Sequence, residues 1–271
     1  MKKLFMSLAA VALLASCGGS KQQANAGAEE EKSFEQEQIE ANIKMQVDSL
    51  ASEFAKMGDM PFIANLKEGK IVFSEEEKQV KPEYLIDPAT TNDLVTLSQK
   101  YRAVAILSSD KMIAQAYDMP IDEYDAAIKK LVIDLDDDAF KAFEEAAEKK
   151  ENDIKEKMQD FYTKEEENGR INFFWDTATA FLVEELYIIS QDTNNKFIEC
   201  FTDESASNIT YRIILFQNAL NRLKEYAPEL EELCDAIQPL EALNAMSVDE
   251  LKAQLAEMHE QLKGIRNNLL K

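Results

Sequence analysis

The chain has 271 residues, 45% hydrophobic and 30% charged, with 52 acidic residues against 30 basic ones. That apolar content excludes a disordered chain. A net charge of −22 repels nucleic acid and anionic head groups, so no nucleic-acid partner is expected and the acid excess reads as a solvated surface.

Met1-Lys2-Lys3 is a short positive start, Leu4 to Ala15 carries no charge, and small residues surround Cys17. This is the pattern of an export signal, and the apolar run is shorter than the roughly 20 residues a membrane-spanning helix needs. Leu14-Ala15-Ser16-Cys17 resembles the lipobox of bacterial lipoproteins. The resemblance covers the signal alone and implies a diacylglycerol placed on the Cys17 thiol before residues 1–16 are cleaved. It also implies a membrane partner through that lipid, since two or more acyl chains anchor stably. Gly18, in place of an aspartate at the position after Cys17, points to the outer membrane if the cell is Gram-negative. Residues 17–32, rich in Gly, Ser, Gln, Ala and Glu and without an aromatic, read as a flexible tether with a reach of roughly 20 Å.

Residues 33–271 are enough for one hydrophobic core and are read as a single helical domain. Without the signal the chain carries 28 basic and 52 acidic residues, a net −24. Seven glycines and six prolines are few breakers for this length, so the fold class is all-α: a multi-helix antiparallel bundle or a short helical array.

The spacing predicts a first helix over 33–57, with Ile39, Ile43, Val47, Leu50, Phe54 and Met57 on one face. Phe62–Leu66 and Ile71–Phe73, flanking Lys67-Glu68-Gly69-Lys70, form the one hairpin signal, near 62–73. An isolated hairpin is marginal, so the alternatives are a hairpin seated on the helices or none. A helix from Asn92 or Asp93 carries Leu94 to Ile113, and another starts at Pro120. Asp136 to Asp138 cap a long charged helix reaching about Gly169. Phe173–Ser190, apolar on most sides though interrupted by Asp176, Glu184 and Glu185, is the expected central helix. A helix over 203–226 follows, Pro228 and Pro239 break the chain, and Ser247-Val248-Asp249-Glu250 opens the last helix as a capping box.

That last helix has the sharpest periodicity. Val248, Leu251, Leu255, Met258, Leu262, Ile265 and Leu269 alternate spacings of three and four, an a/d seam three heptads long. Lys252, His259 and Arg266 fall at e positions. The seam is therefore expected to pack antiparallel within the chain, its basic rim facing a Glu-rich helix such as the first (Glu35, Glu37, Glu40) or the one after Asp138. Pairing between two copies is the alternative, and a monomer is preferred.

No residue set assembles into a reaction centre. His259 is the sole histidine, with no serine or cysteine within a turn, and reads as a surface residue beside the seam. Asp134, Asp136, Asp138 and Glu145 match four positions of a calcium loop, but Ala139 stands where glycine is needed, so they read as a helix N-cap cluster. No metal and no cofactor is expected: histidine-rich zinc sites are excluded by count, and no glycine-rich phosphate loop exists. Phe173-Phe174-Trp175 could form a sugar-stacking shelf, but their helical spacing favours the core. Cys200 and Cys234 are placed too far apart by the intervening helix for a disulfide.

The expectation for function is a membrane-anchored, non-enzymatic envelope lipoprotein with a structural role or an envelope protein as partner. The first alternative is a lipoprotein that binds a glycan, peptide or other solute between its helices, and a carboxylate enzyme acting on glycans is the second. A concave pocket holding aromatics beside acids would favour the alternatives over the first reading.

Overall fold

The computed structural model describes residues 34–148, 154–191, 196–225 and 227–271, so the lipobox, Cys17 and the tether lie outside the described residues. Helix boundaries follow local chemistry. α1 (Phe34–Met57) stops where Gly58 takes a φ of +67°, a conformation that L side chains rarely adopt. α2 (Pro61–Lys67) opens on proline, whose missing N–H would have had no helical acceptor. α3 (Leu97–Ala116) starts at a capping box of Thr96 and Gln99, after a 3-10 turn over Pro88–Asp93. α4 (Asp122–Leu135) ends on Asp136, at φ 50°. α5 (Asp138–Glu148) is capped by Asp137, whose Oδ1 accepts the backbone N–H groups of Ala139 and Phe140 at 3.0 Å each. α6 (Ile154–Glu167), α7 (Ile171–Ile189), α8 (Asp203–Leu223), α9 (Glu231–Ile237) and α10 (Val248–Leu269) complete the chain.

The fold is all-α, and among the described residues there is no strand. Where the sequence offers a hairpin, α2 takes the first half and buries Phe62 and Ile63. The second half is irregular. Ile71 and Phe73 point inward and Val72 outward, but the alternation serves packing: the Phe73 ring lies 4.3 Å from that of Tyr117 and 5.7 Å from that of Phe197, centroid to centroid. Burial against the helices replaces the cross-strand partner that a hairpin would need.

The long helix expected between Asp138 and Gly169 is two, α5 and α6, packed on each other. Residues 148–153 contain no apolar side chain, so one straight helix would carry its two aromatic sets apart. Folding back brings Phe143 and Phe140 within 5.7 and 5.3 Å of Phe161, centroid to centroid.

α7 is the hub. It packs on α3, α6 and α10, while α1 lies on α6 and α8, and α4 covers α3. Phe174 and Trp175 are buried in the core, and Phe173 stacks on Tyr101 at 4.7 Å. Among the described residues, no helix is long and apolar enough to cross a membrane.

α10 buries Leu251, Leu255, Met258, Leu262, Ile265 and Leu269 inside the chain, and Val248 packs at the edge of the same core. Its main neighbour is α7, with α8 and α9 beside it, not the Glu-rich α1 or α5. His259 meets Ser190 and Arg266 meets Glu184, so the two helices run antiparallel. The electrostatic reason for the changed partner lies in α7 itself, whose acids Asp176, Glu184 and Glu185 are buried and need cations.

Candidate functional site

Asp176, Glu184 and Glu185 all sit on α7 with 6% exposure or less. Burying a carboxylate without a partner is costly, and each of these acids is faced by an arginine from a different helix. Arg102 of α3 holds Asp176, with Nε–Oδ1 at 2.6 Å and Nη2–Oδ1 at 2.5 Å. Arg266 of α10 donates through Nε to Glu184 Oε2 at 2.5 Å and through Nη2 to Asp110 Oδ2 at 3.1 Å. Arg212 of α8 faces Glu185 electrostatically, but its hydrogen bonds go elsewhere. Arginine suits these places because its guanidinium is weakly hydrated and forks toward two acceptors.

The Arg266 cluster is closed. Asp110 Oδ2 also accepts the Ile86 amide at 2.7 Å, and the guanidinium stacks 4.9 Å above the Tyr187 ring. Burial and then the neighbouring Glu184 push the Asp110 carboxyl well above its usual range, and burial raises Glu184 as well. Two buried acids share one cation, and each makes the other harder to ionise.

The second arrangement is open to a cavity of about 210 Å³, walled by the α1 end and the turn after it, α2, α3, α5, α6, α7 and α8. Phe54, Phe143, Phe161, Phe174, Phe181 and Leu182 form its apolar wall; Asp59, Lys67, Lys111, Glu144, Glu185 and Arg212 carry its charge. Most of that charge is engaged. Arg212 donates to the carbonyls of Met57 (3.1 Å), Gly58 (2.9 Å) and Asp59 (2.8 Å), closing the C-terminal end of α1, and to Asn208 Oδ1 at 2.8 Å. Lys67 pairs with Asp59 at 3.0 Å and Lys111 with Asp125 at 2.5 Å.

Glu185 differs. It is 6% exposed, lines the cavity, and has no hydrogen-bond partner among the described residues. Burial pushes its carboxyl up to about 8; Arg212 and Lys67 pull it down, and Asp59 and Glu184 raise it. Burial also lowers Arg212 to about 10, with Glu185 and Asp59 acting against the shift. The cavity can therefore hold a small apolar body and offer it a polar contact at Glu185.

The other sequence candidates go elsewhere. His259 Nδ1 lies 3.1 Å from both Oγ and the carbonyl oxygen of Ser190, a serine 69 residues away that sequence neighbours could not reveal. Ser190 Oγ donates to the Tyr187 carbonyl at 2.8 Å, so its proton points away from the ring. Nδ1–H therefore donates to the C-terminal end of α7: the ring caps a helix rather than activating a hydroxyl. Of the calcium-like acids, Asp134 pairs with Lys100 at 3.3 Å, while Asp136 and Asp138 are exposed. Of the Asp136–Asp138 group expected to cap the next helix, Asp137 does so, although the calcium template passes over it. It is buried, caps α5, accepts Tyr101 Oη at 2.6 Å and pairs with Arg170 at 3.1 Å. Arg170 also binds Glu165 at 2.8 Å, whose carboxyl is raised to about 7 by burial and then by Asp137. Among the described residues, no group of three or more His, Cys, Asp or Glu could hold a metal ion. Cys200 is exposed and Cys234 buried, and both are free thiols.

Sequence reading missed the cavity because its wall draws on seven helices, and it took Glu185 for an interruption of an apolar run. The available signal was the acid itself, an ionisable residue in the most buried helix. No family model matches the chain, and neither does any curated protein or solved structure.

Proposed function

We propose that this chain is an envelope lipoprotein held at the membrane by lipid on Cys17, with a non-enzymatic helical domain that takes a small solute into the cavity beside α7. For a Gram-negative cell, Gly18 after Cys17 favours the outer membrane. The observation that carries the solute-binding reading is an aromatic-walled cavity with one buried, unpartnered carboxyl aimed into it, the combination expected of a binding site. Catalysis would call for a nucleophile, a base and a stabilising group around one point; of the three carboxyls on the wall, Asp59 is held by Lys67, and Glu144 and Glu185 are buried. With its seam buried within the fold, α10 has little apolar surface left for a second copy, which favours a monomer.

The anchor is tested by Cys17→Ser: the variant is expected to lose lipid and to leave the membrane fraction or stall before processing. Processed variant protein that still fractionates with membranes would overturn the anchor. The cavity is tested on the full chain in detergent with benzene. An apolar cavity of about 150 Å³ suffices for that ligand, and a ligand bound to the native state raises the melting temperature by mass action. A rise in wild type that is lost in Ala178→Leu, which fills the cavity wall, is the expected result. An unchanged melting temperature would overturn the solute-binding reading and return the domain to a protein-interaction role.

A further inference from the structure

We propose that the cavity selects a small primary amine with an apolar body about one aromatic ring in size, its ammonium group paired with Glu185. This rests on the solute-binding reading above and adds the chemical class of the ligand.

The charge census of the wall supports an amine over an acid. Arg212 has four of its five N–H donors directed to three backbone carbonyls and Asn208. Lys67 holds Asp59, and Lys111 holds Asp125. An anionic ligand would have to displace one of these partners. Glu185 gains from an arriving donor, because its carboxyl is buried and accepts no hydrogen bond among the described residues. A buried carboxylate is stabilised when a cation enters with it. The remaining wall suits the same ligand, since phenyl faces attract ammonium groups as well as apolar bodies. The volume of about 210 Å³ exceeds that of a cavity known to take benzene, leaving room for a short aminoalkyl arm.

The pairing should be linked to pH. Glu185, raised to about 8 by burial, is mostly protonated in the empty protein at pH 7, whereas an alkylammonium is charged. Binding should therefore release a proton, and affinity should rise with pH until Glu185 is ionised. The charged groups that face it are Arg212 of α8, Asp59 of the turn after α1, Lys67 of α2, Lys111 of α3, Glu144 of α5 and its neighbour Glu184. α6 contributes Met158 and Phe161, which do not titrate.

The experiment is calorimetric titration of the full chain in detergent with 2-phenylethylamine, 2-phenylethanol and 3-phenylpropanoate. At pH 7 the amine is expected to bind at least tenfold more tightly than either isostere, with a heat that varies with the ionisation enthalpy of the buffer. Glu185→Gln, which keeps the shape, should abolish the preference and the proton release while leaving affinity for the alcohol unchanged. Because the substitution removes a buried ionisable group, loss of folding is not expected, and retained binding of the alcohol reports an intact cavity. Equal affinity for the three probes, preference for the acid, or a preference that survives in Glu185→Gln would overturn the amine assignment and leave the solute-binding reading standing. If benzene stabilises wild type but none of the three probes binds, only the amine assignment fails. If benzene fails as well, both readings fall.

Discussion

Glu184 and Glu185 are neighbours on α7, yet they meet opposite fates. A step of one residue turns a side chain about 100° around a helix, so Glu184 enters the α10 interface and Glu185 faces the cavity. Glu184 meets Arg266 at 2.5 Å in a cluster that also holds Asp110, the Ile86 amide and the Tyr187 ring. Glu185 meets Arg212 only at a distance, because that arginine is occupied by the carbonyls that end α1. The first acid joins helices. The second carries an unsatisfied demand for a donor into empty space. A buried charge thus has two structural meanings on a single helix, and the difference lies in whether the opposing cation completes the pair.

The sharpest break of this comparison removes the cation from the closed side. Arg266→Met is expected to cost about 5 kcal/mol at pH 7 in denaturant unfolding, because two buried acids lose their shared counter-charge. The loss should shrink at acid pH, where both carboxyls are protonated. A cost below about 1 kcal/mol would mean that the cluster does not join α7 to α10. On the open side the sign reverses. The folded-state value of Glu185 lies above its usual 4.5, at about 8, so the native state binds a proton that the unfolded chain releases between those values. The associated stability is fully present below about pH 4.5 and is lost as pH rises to 8. Glu185→Gln is therefore expected to match wild type near pH 4 and to exceed it by roughly 3 kcal/mol at pH 9. Unfolding curves of the two proteins that run parallel across this range would show that Glu185 is already satisfied. The smallest effect compares volume. Ala178→Leu projects into the cavity and should change stability by less than about 1 kcal/mol. Ala180→Leu, at a fully buried position that does not line the cavity, should cost about 1–3 kcal/mol. Equal costs at the two sites would mean that the cavity is packed.

Different parts of the molecule were legible to different degrees. The α10 seam was readable because its alternation of three and four residues is a local property, and its six inner residues are buried. Its partner was not readable: charge rules pointed to the glutamates of the first helix or of the one after Asp138, while the acids that mattered were hidden in an apolar stretch. The 62–73 hairpin failed for a related reason. Alternating apolar residues satisfy a strand pattern and an extended segment pressed on helices equally well, and the aromatic contacts of Phe73 decide for the second. The cap by Asp137 was legible within the Asp136–Asp138 cluster because it reaches amides two and three residues on, whereas its bond to Tyr101 depends on a residue 36 positions away.

What the sequence determined by itself is local: the all-α character, the cap at Ser247, the apolar stripe of α10, and the central place of α7. These depend on groups three or four residues apart, whose spacing a helix imposes before anything packs. Tertiary structure alone decided which arginine meets which acid and where a cavity remains. Glu184 and Arg266 are 82 residues apart, and Arg212 lies 154 residues from the Gly58 carbonyl it holds. Such pairings, and the volume left between seven helices, exist only when the whole chain has closed, because they are set by the relative placement of helix axes and not by any residue's neighbours in sequence.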